Sequence, residues 1–527
     1  MKKLHSIFFL LPLIFVSCVT TKDSGEMSKI LYPYEHLSIQ NPELFGLTNQ
    51  TENLDFIFDL NKLGTTTIII PRSEWNTLLS NYDAYYKNEV FVHADFAFEK
   101  EGYRWLMPDC GFRLRGNTTR VRPQGPDYTH SQGNHRWSNW QALQGAGKDK
   151  YRQSSFKVDF EEFLSDGEKA KLAGCMKGIN LKRFQGDASY VREIYSLDMM
   201  RHYGVWTSPR VAYTRLFINI YEDLSDGSLT ELDYGIYEMF ENIDKQSLSE
   251  RANKTKNAWT SSKGNLWKCS EKSYLNPWSL EGENKIGIEK LTTDAATSKI
   301  FSYDLKTNKN KFDDAKEELK NFVYALDALK FDTPEEMAKS KTWIDSKIDV
   351  ELFLRTMACN VILGMDDDYW GNANNYYLYF DTAEKGSGKV FMIPFDYDHV
   401  FGNPVGGDPT NKDPLNWGKA SGAKPGERPL VEKIMAVPEY KERYKNILLE
   451  FTNSSSYFGK NQSQARITVW QKMIEPYVWS RDLIYDHDTI RVIQDNGGYC
   501  QNKYYLLKGP TVWEGKRKAV EKAVRKD

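Results

Sequence analysis

The segment 360–402 constrains the fold of this chain more than any other stretch. It carries three consecutive carboxylates, Asp366, Asp367 and Asp368, and then an Asn-rich turn with Asn372, Asn374 and Asn375. Two apolar runs rich in aromatic and β-branched residues follow, 376–380 and 390–395, around the Gly- and Lys-containing turn 385–389. Such runs around a Gly turn predict a β-hairpin. A hairpin returns the flanks of its strands to one end. The acidic triplet is therefore expected beside Asp396 and Asp398, which follow the second run. Two residues apart on a strand, Asp396 and Asp398 would share a face. Carboxylates and amide oxygens would then surround one small volume. Like charges so close are costly unless a cation lies between them. An oxygen-only ligand set suits Mg2+, Mn2+ or Ca2+ rather than Zn2+. The competing reading is local, since turn Asp and Asn side chains hydrogen-bond nearby backbone. It accounts for the Asn cluster equally well. The placement of Asp396 and Asp398 directly after apolar strand residues favours the metal.

At 527 residues the chain can bury a large core. Aromatic residues make up 14% and charged residues 27%, which suits a folded, polar-surfaced body rather than a disordered one. A net charge of −2 offers no basic excess, so no nucleic-acid partner is expected. Lys2 and Lys3 precede the apolar run 7–16 and then Ser17 and Cys18, the pattern of a secretory signal over 1–17. Its Phe-Val-Ser-Cys ending resembles a bacterial lipoprotein box, with Cys18 as the lipidated residue. The expected location is the cell envelope, lipid-anchored and extracytoplasmic, either periplasmic or surface-exposed. Residues 18–60 then read as a tether and entry segment, with membrane contact through the anchor only. The five other cysteines, Cys110, Cys175, Cys269, Cys359 and Cys500, are odd in number and lack CxxC spacing. Neither a zinc site nor a disulfide framework is expected, but buried free thiols are.

Along the chain, strands are predicted near 65–70, 89–99, 110–115, 154–160, 178–182, 211–221 and 233–240. Helices are predicted from Ser73 as N-cap, over 188–203 behind Asp187, and near 313–330, 334–347, 349–364, 430–451 and 463–482. A charged helix over 514–527 is expected to present a solvated face, and the Gly/Pro-rich loop 404–429 to cover a site. The class is α+β. Arg113 and Arg115 run into Gly116, Asn117 and two threonines, a loop able to bind phosphate through guanidinium and backbone N–H groups. Pairing of these arginines with structural carboxylates is the alternative.

Carboxylates around a divalent cation, with Lys or Arg on facing strands, are the kit for phosphoryl transfer. Asp367 and Asn372 also have the Asp-x4-Asn spacing of kinase catalytic loops. The stretches FRLRGNTTR, SSFKVDF, INLKRFQGDASYVREIYSLDMMR, SPRVAYTRLFINIYED, YGIYEMFENIDK, GNLWKC, NVILGMDDDYWGNANNYYLYFD and MIPFDYDHVFG resemble the CotH kinase-like family, named for spore coat protein H. They cover most of 65–450 in the family's order, and Ile-Pro-Phe-Asp-Tyr-Asp stands where the family usually has Pro-Trp-Asp.

The resemblance implies an atypical protein-kinase-like fold over 61–485. Its sheet-rich N-terminal part would cover about 61–245 and its helical C-terminal part about 313–485. A late hairpin would complete a cleft, and 486–527 would form an extension. It implies a kinase that uses ATP and Mg2+, with Mn2+ or Ca2+ as alternatives, on Ser residues of a protein substrate such as a co-secreted one. Carried over, the catalytic residue is Asp367, with Asp366 and Asp368 as register alternatives. Asp396 becomes the main metal ligand, Asp398 a supporting one, and Asn372 or Asn375 the amide ligand. Lys157 and Lys182 become phosphate grips, Glu241 their ion-pair partner, and Lys268 and Arg115 further nucleotide contacts. No Gly-rich phosphate loop is visible. Two alternatives keep the scaffold and drop catalysis. One is a surface lipoprotein binding glycan or protein, with Trp137, Trp140 and Trp370 as stacking platforms. The other holds Ca2+ only as structural support.

Overall fold

The computed structural model describes residues 51–526 except 118–119, 129–144, 172–175, 224–226, 256–257, 403–409, 411, 485–491, 496–504 and 509–510. The signal segment, Cys18, Trp137, Trp140, Cys175 and Cys500 lie outside the described residues. Among the described residues no helix is long and apolar enough to cross a membrane.

Seven strands make a closed barrel: β1 (Gly64–Pro71), β2 (Val92–Lys100), β3 (Tyr103–Leu114), β4 (Phe156–Asp159), β5 (Gly178–Lys182), β6 (Val211–Asp223) and β7 (Ser228–Glu241), in the order β1-β2-β3-β4-β5-β7-β6. Three threonines and three isoleucines give β1 its stiff, β-branched character. Closure comes from parallel pairing of β1 with β6, Ile68 opposite Ile218, which no local pattern announces. A closed sheet has no free edge to pair with another chain. Its interior holds Phe96, Phe112, Phe156, Leu181, Ile218 and Tyr237. Because side chains alternate along a strand, a buried Phe156 and Leu181 send their neighbours Lys157, Asn180 and Lys182 to the outer face.

Helix α1 (Arg72–Ala84) packs Trp75, Leu78 and Tyr82 against the barrel. It starts one residue before the expected cap. Pro71 takes the N-cap position, and Ser73 lies inside the helix, accepting from the Thr77 hydroxyl. The supposed irregular entry segment includes a helix, Thr51–Ile57, whose Leu54 and Ile57 are buried in the barrel core. Helix α2 (Arg192–His202) begins later than predicted. The Asp187 carboxylate accepts N–H bonds from Ser189, Val191 and Arg192, which fixes a turn where helix was expected.

The hairpin forms as predicted, with β11 (Tyr376–Asp381) and β12 (Lys389–Pro394) in antiparallel register, Tyr376 opposite Pro394. It belongs to a second sheet, β12-β11-β8-β10-β9, with β8 (Asn265–Cys269), β9 (Ile286–Gly287) and β10 (Tyr303–Leu305). The fold class is α+β. However, the strands are not confined to the first half of the chain, because the weakly patterned region 245–345 contributes β8 to β10. Helix α3 (Val350–Leu363) is capped by the Asp349 carboxylate and ends at Gly364 in the left-handed region, φ 75°. It delivers the acidic triplet, which runs into the one-turn helix α4 (Tyr369–Asn372).

The single helix expected over 430–451 is two, α5 (Pro429–Met435) and α6 (Pro438–Thr452). Pro438 cannot continue a helix but can start one. The helix expected over 463–482 runs Lys460–Ile474 and stops before Pro476. The terminal helix α7 (Val512–Lys526) is not simply a solvated face. Its Trp513 is buried against Tyr195, Phe401 and Phe458. Cys110, Cys269 and Cys359 are free and buried, as expected.

Asp381, wholly buried at the end of β11, anchors the hairpin to the rest of the sheet. Its carboxylate accepts backbone N–H bonds from Thr260 at 2.8 Å, Ser261 at 3.1 Å and Ser387 at 2.8 Å. Asp381→Ala leaves three donors unpaired, and a loss of about 3 kcal/mol or more is expected in urea unfolding. A loss below about 1 kcal/mol would mean that this clamp does not hold the hairpin.

Candidate functional site

The β12 strand stops at Pro394, so Asp396 and Asp398 lie past its end rather than on one strand face. Asp396 adopts a left-handed backbone, φ 62°, which short polar side chains tolerate better than others. The two carboxylates nevertheless converge, and the group between them is Lys182 of β5. Its ammonium lies 2.5 Å from Asp396 Oδ1 and 3.1 Å from Asp398 Oδ2. A third carboxylate, Glu193 in the first turn of α2, lies 2.5 Å away on the other side. Three N–H donors thus meet three carboxylates. The second oxygen of Glu193 accepts the Tyr397 N–H at 2.9 Å, tying α2 to the segment after β12.

Burial alone would lower the proton affinity of Lys182, but Asp396, Asp398 and Glu193 reverse this and hold its pKa well above the usual lysine value. Burial pushes the Glu193 carboxyl up, with Lys182 only partly offsetting it. Glu238, opposite Lys182 on β7, is raised by burial and by Glu193. At Asp396 burial also acts upward. There Lys182, helped by Arg115 and His399, prevails and holds the carboxyl below its ordinary range. Asp396 is also the open end of the group, with 35% of its side chain exposed against 3% for Glu193.

The acidic triplet divides into three roles. Asp366 pairs with Lys412 at 2.6 Å. Asp368, buried, caps α4 by accepting the Gly371 N–H at 2.7 Å and also accepts from the Asn360 amide. Only Asp367 turns to the side of Asp396 and Asp398. It accepts the amide N–H2 groups of Asn372 at 2.7 Å, Asn375 at 2.9 Å and Asn374 at 3.2 Å. His399 bridges the two acidic segments, with Nδ1 3.9 Å from Asp367 and Nε2 3.8 Å from Asp398. Burial raises the Asp367 carboxyl pKa, and Asn372 and His399 counter part of that rise. The two register alternatives to Asp367 are therefore occupied in structural contacts.

Among the described residues no cluster of three or more His, Cys, Asp or Glu side chains is arranged around a vacant cation position. Lys182 fills the place where a cation was expected. The donor set still suits a hard divalent ion. Asp367, Asp396 and Asp398 supply carboxylate oxygens, and Asn372, Asn374 and Asn375 keep their amide oxygens free of Asp367. One ammonium does not balance so many carboxylates. The geometry does not choose between Asn372 and Asn375, and it adds Asn374.

The remaining cations separate cleanly. Arg113 is buried and pairs with Glu89 at 3.0 Å, a structural contact. Arg115, Lys157 and Lys268 have no carboxylate within ion-pairing distance among the described residues. Arg115 acts on the charge of Asp396, and Lys268 lies 5.7 Å over the ring of Phe395, one residue from Asp396. Lys157 faces outward from β4 beside Arg113. Burial first, and then Arg113, pull its pKa down to about 8. Glu241 is not the partner of Lys157 or Lys182. It closes β7 and is bound by Arg251 at 2.6 Å and Arg210 at 3.3 Å. The partner is Glu193, which sequence reasoning missed. Glu193 falls inside the stretch predicted as helix, and no local pattern marked it as the partner of Lys182. Trp370 is buried against Tyr444 and is no exposed stacking platform.

A protein-family model described as CotH kinase protein matches residues 142–501. The matched region holds every site residue named above except Glu89, Arg113 and Arg115, which precede it. No curated protein matches the chain. The match takes in well over half of the chain, from β4 through the hairpin and both acidic segments, and on this ground the chain belongs to the CotH kinase protein family.

Proposed function

We propose that this protein is a metal-dependent phosphotransferase, an ATP-dependent protein kinase acting on Ser residues. The observation that carries the reading is the meeting of a strand lysine, Lys182, a helix glutamate, Glu193, and two acidic segments, one with Asp367 and one with Asp396, in a single site. Protein kinases require such a Lys–Glu pair and a metal-binding Asp in place together. A bound Mg2+ or Mn2+ would neutralise phosphate charge there. Asp396 and Asp398 are the residues to hold it, with the Asn372 or Asn375 amide oxygen.

Glu193 anchors Lys182 from the buried side, so Lys182 stays charged when Asp396 and Asp398 are engaged elsewhere. Its ammonium is then free to grip a phosphate oxygen. Arg115, Lys157 and Lys268 add unpaired positive charge for the rest of the nucleotide. Asp367, fixed by three Asn side chains, accepts the proton of the attacking Ser hydroxyl. The N-terminal pattern ending at Cys18 supports a lipid-anchored enzyme outside the cytoplasm, acting on a protein that shares the compartment. A second reading, a surface module that binds glycan or protein without catalysis, is favoured by one observation. Lys182 already occupies the position between Asp396 and Asp398 as the site stands.

Purified protein with labelled ATP and Mg2+ or Mn2+ is expected to label itself or a Ser-rich acceptor. Asp367→Asn should reduce kcat by about 10^2- to 10^4-fold while nucleotide binding persists. Wild-type turnover in that variant would remove Asp367 from catalysis. Stripping divalent ions with a chelator, or introducing Asp396→Asn, should abolish transfer, and added Mn2+ should restore it in the first case only. Calorimetry that finds Ca2+ binding but no nucleotide binding would instead establish the binding module.

A further inference from the structure

Between Asp396 and Asp398, Tyr397 points the opposite way, into the core, and is 1% exposed. It is the centre of a buried chain of hydrogen bonds. Its backbone N–H donates to Glu193 Oε1 at 2.9 Å, so its main chain is tied to the Lys182–Glu193 pair. Its hydroxyl donates to Asn360 Oδ1 at 2.7 Å, in the last turns of α3. The Asn360 amide in turn donates to Asp368 Oδ2, and Asp368 Oδ1 accepts the Gly371 N–H at 2.7 Å. Asn360 and Asp368 are each 1% exposed.

The direction of this chain is fixed at each link. Asn360 cannot flip, because its amide oxygen would then face the Asp368 carboxylate and its N–H2 group the donating hydroxyl. Asp368 sits next to Asp367, and Gly371 lies between Asp367 and the Asn side chains that hold it. The chain therefore runs from the Lys–Glu pair, through the middle residue of Asp-Tyr-Asp, to the turn that carries Asp367. The β11–β12 pairing ends at Tyr376 and Pro394, and beyond it a backbone bond from the Phe401 N–H to the Leu363 carbonyl, 2.8 Å, ties the segment after β12 to the end of α3 but not to the turn that carries Asp367.

We propose that Tyr397 is a positioning residue whose hydroxyl sets the placement of Asp367 relative to Asp396 and Asp398. The inference rests on the phosphotransfer reading of the site, and it adds a residue that touches neither metal nor substrate. Removing the hydroxyl leaves the ring in place but takes the donor from Asn360 Oδ1, so the Asn360–Asp368 pair loses its tie to the Asp-Tyr-Asp segment. A displacement on the order of 1 Å at reacting groups costs about 10^2-fold in rate.

The test uses the full chain with Tyr397→Phe, Asn360→Ala and the double variant. For Tyr397→Phe, kcat is expected to fall by about 10- to 100-fold with KM for ATP held within about 2-fold, because the Lys182 side of the site is untouched. The double variant should be no slower than Asn360→Ala alone, since both act through one chain. Backbone amide exchange over 366–373 should quicken in Tyr397→Phe while the thermal midpoint stays near that of the wild type. Equal losses in kcat and thermal midpoint with additive effects in the double variant would show general destabilisation and overturn the proposal. Unchanged exchange and unchanged kcat would also overturn it. Should the wild type transfer no phosphate, the phosphotransfer reading fails by itself, and the exchange over 366–373 still decides whether Tyr397 positions the loop.

Discussion

One ammonium group carries the geometry of this site. Lys182 draws together carboxylates from α2 and from the segment after β12, elements that no backbone hydrogen-bond ladder connects among the described residues. Burying charged groups is costly, and the cost is offset only when each has its partners. Lys182 has three carboxylates, and Glu193 has both Lys182 and the Tyr397 N–H. The arrangement is asymmetric. Glu193 is sealed in, whereas Asp396 opens to solvent, so exchange of partners at the site can occur only on the aspartate side. The same asymmetry reconciles a lysine at the expected cation position with the phosphotransfer proposed for this site.

The barrel makes that ammonium stiff. β5 lies between β4 and β7 and has Leu181 in the barrel core, so Lys182 can leave the sheet only on the outer face. On the other side, β11 is paired along both edges, with β12 and with β8, which holds the hairpin in one register. A one-residue slip would turn every side chain of β12 over and send the following aspartates elsewhere. Two rigid sheets thus bring their ends to one point, and the hydrogen-bonded chain through Tyr397 and Asn360 links that point to the third component, the turn after α3.

The acidic triplet shows how neighbouring, chemically identical residues take different functions. Asp366 faces Lys412, Asp368 faces inward to Asn360 and the α4 N-terminus, and Asp367 faces the three Asn side chains and His399. Nothing in the string Asp-Asp-Asp separates them. The separation comes from the end of α3 at Gly364 and the start of α4 at Tyr369, which turn successive side chains in different directions.

The amino-acid order by itself determined the local elements whose signals are local. These include the hairpin from its two aromatic runs, the helix expected near 349–364 that forms α3, and the approach of the Asp367 and Asp396 segments that a hairpin imposes. Family resemblance was legible for the same reason, since it resides in short contiguous motifs. Tertiary structure alone decided the parallel closure of β1 on β6, the addition of β8 to β10 from a weakly patterned region, and the choice of Glu193 over Glu241 as the partner of Lys182. Each of these is a pairing between residues with no periodic relation in the chain. Glu241 stood at a plausible strand end, but Arg210 and Arg251 had already claimed it. Which charges meet is settled by where the packed elements end, and that is a property of the folded core rather than of any one segment.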